Sequence, residues 1–223
     1  LFIRIFSAAS SFFVAVLIAR VLGERDAGFY FFAIAILNFL AVTVRIGMDK
    51  LILRQVSIHN TTIDIAKINN ILGLSFSVIF CLSAIIGTLL WIFSELIALS
   101  ILKMPDMHSA LCVVSLSIFF LAVTTVMAEA LQGLSRFVES VFVINILPNI
   151  VVFLFFLPGF LDWISVSLEY SLLVIFFSYV ISFLAGLFFL RDVFCRRFPE
   201  IRKAYDSGFL NGFGSMYAVD LMA

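Results

Sequence analysis

Charged residues are scarce in this chain of 223 amino acids. They make up 13% of it, whereas hydrophobic residues make up 64% and the mean hydropathy is +1.21. A soluble domain usually carries about a quarter charged residues. With 28 Phe residues and so few charges, the chain has more apolar surface than one water-soluble fold can hide. The composition excludes a soluble globular protein and predicts an integral membrane protein.

Motifs for catalysis and metal binding are also lacking. The three cysteines, Cys81, Cys112 and Cys195, are far apart and have no metal-ligand spacing. The sequence has no glycine-rich phosphate loop, no H-E-x-x-H and no serine–histidine motif. Its net charge is zero, which gives no general attraction to nucleic acid. We therefore expect a protein that is not an enzyme, with no metal site, no cofactor and no nucleic-acid partner.

Long apolar runs are what the sequence has instead. A transmembrane helix needs ~20 mainly apolar residues, and only helices or closed barrels satisfy their backbone groups in a bilayer. We predict an all-α, polytopic membrane helix bundle with six transmembrane helices and the start of a seventh near Phe209. The six predicted spans are about 1–19, 27–46, 71–93, 109–128, 138–160 and 170–190.

The basic residues are unevenly distributed between the connecting segments. Ten of the fourteen Lys and Arg residues follow even-numbered spans, and three follow odd-numbered spans. The positive-inside rule then places the even-numbered loops and the N-terminus in the cytoplasm. Residues 19–26 would form a short hairpin loop on the outside, with Gly23 and Gly28 allowing the turn.

The remaining loops are too short for a folded extramembrane catalytic domain. The longest, about 47–70, mixes isoleucines with polar groups and predicts an interfacial amphipathic helix. The basic segment after span six is expected to connect two helix bundles. Because Leu1 already lies in an apolar run, we also expect the chain to be part of a longer protein.

Polar side chains within the apolar runs are the candidate functional residues, because charged groups at membrane depth tend to face a bundle interior or an aqueous cavity. Arg4 shares a helical face with Ser7 and Ser11, at steps of three and four residues. Asn38 lies in the middle of span two, and Arg45 lies near its end. For both arginines, the alternative is that the side chain snorkels to the lipid headgroups.

Span five contains a second candidate group in the stretch "NILPNI". Asn145 and Asn149 are four residues apart around Pro148, which is expected to kink the helix. The two carboxamides are candidates for lining a wet path. The alternative is that they form hydrogen bonds between helices at the kink.

Two carboxylates and a stripe of small residues complete the set. Glu129 closes span four and is interpreted as a boundary carboxylate, whereas Asp220 lies about eleven residues into the seventh run. That depth favours a functional or helix-pairing role for Asp220. Ser178, Ser182 and Gly186 are spaced by four residues on span six, which predicts close helix packing.

Four short motifs resemble those of a known family. "ARVLGERDAGFY" at 19–30, "IGMDKLILRQVS" after span two, "LQGLSRF" at 131–137 and "VDLMA" at 219–223 are similar to elements of polysaccharide transporters. The matching positions are Ala19, Arg20, Leu22, Gly23, Gly28, Tyr30, Gly47, Asp49, Arg54, Gln132, Gly133, Phe137 and Asp220. Arg45 and Glu24 depart from the pattern, since Arg45 replaces a residue that is often non-basic and Glu24 replaces the usual proline.

The sequence thus resembles the lipid-linked oligosaccharide (O-antigen or capsule repeat-unit) flippases of the multidrug/oligosaccharidyl-lipid/polysaccharide exporter superfamily. The resemblance implies a two-lobed, multi-pass protein of the bacterial inner membrane. Residues 1–190 would be the N-terminal six-helix lobe, residues 191–208 the cytoplasmic connector between lobes, and residues 209–223 the start of helix seven.

The function implied by the resemblance is movement of a polyprenyl-diphosphate-linked oligosaccharide between leaflets by alternating access. Arg4 and Arg45 would supply positive charge for the diphosphate, while Asn38, Asn145 and Asn149 would contact sugars. Asp220 would carry a coupling ion. The expected partners are the lipid-linked oligosaccharide and membrane lipids, with the polysaccharide assembly machinery as a further candidate.

Three other interpretations stay open. A multidrug/cation antiporter of the same superfamily is expected to have a more acidic and aromatic cavity. A membrane-embedded polysaccharide polymerase or glycosyltransferase is expected to have a large extramembrane loop with catalytic Arg or Asp residues. The third is a purely structural membrane subunit.

Overall fold

The computed structural model describes residues 2–45, 47–62, 65–101, 103–104, 107–161 and 166–197. These residues are helical almost throughout and include no β-strand, which confirms the predicted all-α class. The α-helices are α1 (Phe2–Arg45), α2 (Met48–Thr62), α3 (Ile65–Leu96), α4 (Met107–Gly133), α5 (Phe137–Val141), α6 (Leu147–Phe160) and α7 (Leu168–Arg197). Two π-helical turns, Ile97–Ile101 and Phe142–Ile146, follow α3 and α5.

The first helix folds back on itself at Gly23. Gly23 has φ +76° and ψ 175°, while the residues on both sides are helical. Ser7, near the start of α1, shares a crevice with Gln132 of α4. Lys50, just past the end of α1, lies with its Nζ 3.8 Å from Oε1 of Glu129 in the same part of α4. A straight helix of this length would separate its ends by roughly 60 Å, so the chain must reverse between them.

The reversal divides α1 into a first arm, residues 2–22, and a second arm, residues 24–45. Five helical segments are long and apolar enough to cross a membrane: Ile5–Arg45, Asn70–Ser100, Met107–Gly133, Phe137–Phe160 and Leu168–Val193. When the two arms of the first segment are counted separately, the described residues contain six long apolar helices, which is the number of spans that the sequence predicts.

The expected loop at 19–26 differs from the structure. Only Gly23 leaves the helical conformation there, and Gly28 lies inside the second arm rather than in the turn. One residue with positive φ reverses the chain, so the charged residues around it continue the helices instead of forming a loop. Charged residues and glycine are typical of loops, which is why the sequence predicts a longer irregular segment than the structure has.

Helix α4 is the centre of the bundle. In its most apolar stretch 67% of the residues are buried, against 17–39% in the other four span-length segments. It contacts α1, α2, α3 and α7. The faces that point away from it are apolar: Phe12, Phe13, Phe39 and Phe188 are 65–72% exposed. An apolar exterior around a buried central helix is what a bilayer requires of a bundle.

The small-residue stripe of α7 packs against α4, as predicted. Ser178, Ser182 and Gly186 are all buried. A Cβ added at Gly186 would lie 3.0 Å from Sδ of Met127. Helices in lipid gain no hydrophobic free energy from association, so close van der Waals contact at small residues stabilises the pair.

The segment after span two forms the predicted amphipathic helix, α2. Its Ile52 and Val56 are buried, whereas Leu51 and Ile58 are about half exposed. A Cβ added at Gly133 of α4 would lie 2.9 Å from Cβ of Val56. Two of the motifs quoted above therefore pack directly on each other, and Gly133 is required for their close approach.

Parts of the predicted domain division lie outside the described residues. Helix α7 continues to Arg197, so the first residues of the predicted connector are helical. Residues 198–208 and the predicted start of helix seven at 209–223, with Asp220, are not among the described residues.

The Gly23 reversal predicts a position-specific effect of alanine. Gly23→Ala places a side chain at positive φ with extended ψ, a region populated almost only by glycine, and should destabilise the protein by about 1–3 kcal/mol. Gly28→Ala is the matched control, because Gly28 is helical and nothing lies within 4 Å of its added Cβ. Thermal unfolding of the purified protein in detergent measures both. Equal stability of the two variants would contradict the reversal.

Candidate functional site

A polar crevice lies between the first arm of α1, the end of α4, and α5 with its π-helical turn. Its volume is about 400 Å³. The crevice is lined by Ser7, Ala8, Ser11, Gln132, Phe137, Val141, Ile144 and Asn145. Hydroxyl and carboxamide groups from three different elements converge there, while the lipid-facing surfaces around the bundle are apolar. This is the candidate functional site.

The π-helical turn Phe142–Ile146 shapes one wall of the crevice. It ends two residues before Pro148, which has no N–H group to donate within the helix. The backbone N–H of Leu147 donates to the carbonyl of Phe142, five residues back instead of four. The sequence predicts a kink at Pro148, and the structure has a wider, π-helical turn just before this residue. Such turns are frequent at functional sites because they redirect side chains, and Asn145 lines the crevice from within this one.

Asn149 joins two helices beside the crevice. Its Nδ2 donates to Oγ of Ser11 over 2.8 Å, and that hydroxyl donates to the carbonyl of Ser7 over 3.0 Å. The sequence left open whether Asn145 and Asn149 line a wet path or connect helices. The structure separates the two roles, because Asn149 connects α6 to the first arm and Asn145 lines the crevice.

Gln132 contributes from α4 and is not among the site residues predicted from the sequence. Its Nε2 donates to Oγ of Ser140 over 3.1 Å, which holds the carboxamide at the wall of the crevice. The turn that follows is closed by an ion pair, with Nη1 of Arg136 2.9 Å from Oε1 of Glu139. The motif "LQGLSRF" could have identified Gln132 as a candidate. In this motif Gln132 directly precedes Gly133, the residue that contacts α2.

The predicted cationic residues are placed differently from the carboxamides. Arg4 lies on the first arm, one helical turn before Ser7 and Ala8 of the crevice lining. Arg45 lies outside that lining. Its Nε donates to the carbonyl of Ala41 over 3.0 Å, and its Nη1 is 3.4 Å from Oδ2 of Asp49. The Arg45 guanidinium thus sits in a charged contact between α1 and α2.

The other two predicted site residues are not brought to the crevice by the described part of the chain. Asn38 is exposed on the second arm, and its Nδ2 donates to the carbonyl of Ile34 over 3.0 Å. Asp220 lies outside the described residues. Glu129, interpreted as a boundary carboxylate, pairs with Lys50 through Oε1, while its buried Oε2 has no hydrogen-bond partner. The roles proposed for Asn38 and Asp220 stay predictions.

A second, more apolar groove of about 460 Å³ lies between α3 and α4. Phe80, Trp91, Leu116 and Phe120 are among its lining residues. Cys112 also lines it, and its Sγ is 3.6 Å from Oγ of Ser94. None of the predicted site residues belongs to its lining. In the described residues no group of three His, Cys, Asp or Glu side chains could hold a metal ion.

The chain is similar to a family of known proteins. The model of a family described as polysaccharide biosynthesis protein matches residues 1–214, almost the whole chain. A search of curated proteins and a search of solved structures each found no significant match.

The contact between Ser11 and Asn149 predicts a measurable coupling free energy. In a double-mutant cycle of Ser11→Ala and Asn149→Ala, we expect coupling of about 0.6 kcal/mol and at most ~1.7 kcal/mol, the range of interhelical hydrogen bonds in membranes. Unfolding of the four proteins in detergent measures it. A parallel cycle of Asn38→Ala with Asn149→Ala is the control and should give no coupling, since Asn38 bonds its own helix. Strict additivity in the first cycle would contradict the contact.

Proposed function

The chain belongs to the polysaccharide biosynthesis protein family, and on this basis we propose that it forms part of a flippase for polyprenyl-diphosphate-linked oligosaccharide repeat units. Its family gives it a role in polysaccharide synthesis or export, and its helices indicate a multi-pass membrane protein. The finer proposal is that it moves the lipid-linked oligosaccharide across the bacterial inner membrane, for O-antigen or for capsular or exopolysaccharide synthesis. It would do so as a transporter, without catalysing a covalent step.

The polar crevice is the observation that carries this proposal. A sugar that enters a bundle at membrane depth loses hydrogen bonds to water, and the protein must replace them. Ser11, Gln132 and Asn145 offer both donors and acceptors there. The described lining has no charged side chain, which suits neutral sugar hydroxyl and amide groups. A transporter of cationic drugs would instead need carboxylates at this place.

The lipid part of the substrate requires a different environment. Phe residues are exposed on the outward faces of several helices, including Phe12 and Phe13 on the first arm that borders the crevice. A polyprenyl chain can remain in contact with such surfaces and with lipid while the sugar occupies the crevice. The diphosphate between them needs cations and hydrogen-bond donors, for which Arg4 and Arg45 are the candidates.

The proposed orientation places the end of the bundle with Arg45, Lys50 and Arg136 in the cytoplasm. The support is the excess of basic residues in even-numbered loops. The crevice is near this end, because Gln132 is one residue from the end of α4. Substrate would then enter from the cytoplasmic leaflet. Rocking against a second lobe would release it on the other side, with Asp220 as the candidate for ion coupling and the polysaccharide assembly machinery as a candidate partner.

Removing the crevice carboxamides should reduce transport. For Asn145→Ala and Gln132→Ala we expect surface polysaccharide to fall roughly two- to ten-fold each, the effect of one lost hydrogen bond of about 0.5–1.5 kcal/mol. The measurement is surface polysaccharide in cells whose only copy of the transporter is the variant, together with the amount of lipid-linked oligosaccharide that accumulates. Thr43→Ala is the matched control, since Thr43 is exposed and bonds its own helix at Phe39. Unchanged output from both crevice variants would reject the crevice as the sugar site.

The cation hypothesis has its own test. Arg4→Ala and Arg45→Ala should lower transport more than the carboxamide variants do, because charge-assisted hydrogen bonds are roughly twice as strong as neutral ones. Arg20→Ala, at the opposite end of the first arm, removes the same charge and should have no effect on transport. Immunoblots of the membrane fraction control for the amount of protein. Undiminished surface polysaccharide in both Arg4→Ala and Arg45→Ala would overturn the assignment.

A further inference from the structure

The outer face of α2 is basic and apolar at once. Lys50, Leu51, Arg54 and Ile58 form this outer face, and their helical positions fall within about 100° of arc. The Lys50 side chain is 81% exposed, Leu51 is 53% exposed and Ile58 is 45% exposed. Arg54 is exposed as well. Neither the crevice nor the family motif gives this surface a role.

The position of α2 along the chain places the outer face at the edge of the membrane. The second arm of α1 precedes α2 and the membrane-crossing part of α3 follows it. Gly47, with φ +72°, makes the turn between α1 and α2. The Lys50–Glu129 contact sets α2 against the last turns of α4. Helix α2 therefore begins where two membrane-crossing helices end, which is the level of the lipid headgroups.

Packing on the opposite side fixes the direction of the outer face. Ile52 and Val56 are fully buried, and Val56 lies against Gly133 of α4 with no room for a Cβ between them. Rotation of α2 about its axis would separate this contact. The exposed leucine, isoleucine and two basic residues are consequently held away from the bundle.

The acidic residues that the structure describes near α2 do not neutralise the outer face. Asp49 lies toward the inner side, where its Oδ2 is 3.4 Å from Nη1 of Arg45. Glu129 reaches Lys50 only over 3.8 Å, and the Lys50 side chain remains mostly exposed. The N–O distance of this pair is long and its Lys50 side is exposed to solvent, so the pair leaves most of the Lys50 charge accessible. The outer face therefore keeps a net positive charge.

We propose that the outer face of α2 binds the headgroups of anionic phospholipids. Basic residues at a membrane surface attract anionic lipids, and apolar residues between them enter the boundary between headgroups and acyl chains. Lys50 and Arg54 contact the phosphates, while Leu51 and Ile58 insert beside them. The occupant is a membrane lipid rather than the diphosphate of a transported substrate, because the outer face points away from α4 and the crevice.

The test measures lipid selectivity of the whole protein in nanodiscs. The probe is spin-labelled phosphatidylglycerol, compared with spin-labelled phosphatidylcholine, in a phosphatidylcholine bilayer. The wild type should immobilise phosphatidylglycerol preferentially, and Lys50→Gln/Arg54→Gln should reduce that preference by roughly five-fold for each lost charge. Arg54→Gln alone leaves the Lys50–Glu129 pair intact and should give about half of the effect on a logarithmic scale.

Two controls make the result decisive. Arg20→Gln/Lys103→Gln removes two exposed basic residues elsewhere in the chain and should leave the preference unchanged. Inorganic diphosphate in solution should displace the lipid no more than sulfate does at the same ionic strength. The proposal is overturned if the α2 double variant keeps the wild-type preference, if the control variant loses it equally, or if diphosphate displaces the lipid more than sulfate does at equal ionic strength.

Discussion

Close approach to α4 at glycines is the constraint on which the bundle depends. Helices in a bilayer gain no hydrophobic free energy by associating, so they need contact area that only short distances provide. A Cβ at Gly87 of α3 would lie 2.9 Å from the Ser115 carbonyl oxygen of α4. A Cβ at Gly133 of α4 would lie 2.9 Å from Val56 of α2, and one at Gly186 of α7 would lie 3.0 Å from Met127 of α4. Three of the neighbours of α4 thus meet it where one side has no side chain. This explains why α4 is the most buried of the span-length segments.

The crevice lies on the side of α4 that faces the first arm of α1 and the α5–α6 segment. The first arm of α1 and the α5–α6 segment are joined through polar groups, by the bond from Asn149 to Ser11. The π-helical turn before Pro148 widens the helix at the same level, which leaves room beside Ser11 and Asn145. A carrier of sugars requires a polar space within its apolar bundle. The close packing of the other helices confines this polar space to the crevice.

Much of the fold could be predicted from the sequence, because membrane-spanning helices are read from the length of apolar runs. The amphipathic α2 was predicted from its mixture of isoleucines and polar residues, and the packed stripe on α7 from a spacing of four residues. Both signals depend only on neighbouring positions. The reversal at Gly23 was predicted as a loop, since no pattern reveals that a single residue makes the turn. The role of Gly133 could not be predicted from the sequence either, because it depends on contact with Val56, which is far away in the chain.

The candidate site was predicted less completely than the fold. Asn145 and Asn149 were found because they are polar residues within an apolar run, but the division of roles between them depends on Ser11 in another helix. Asn38 was chosen by the same reasoning, yet its carboxamide bonds the preceding turn of its own helix. A polar residue in an apolar run can satisfy itself in this way, and sequence alone does not distinguish that case from a cavity.

Cross-linking tests most directly whether the first arm and α6 enclose the crevice together. Cys81, Cys112 and Cys195 are first replaced by serine, and cysteine pairs are then introduced at Ser11 with Asn149 and at Asn38 with Asn149. The 2.8 Å contact predicts rapid cross-linking of the first pair by a mild oxidant or a short bifunctional reagent in native membranes, and none for the second pair. Cross-linking at Asn38 but not at Ser11 would contradict the account.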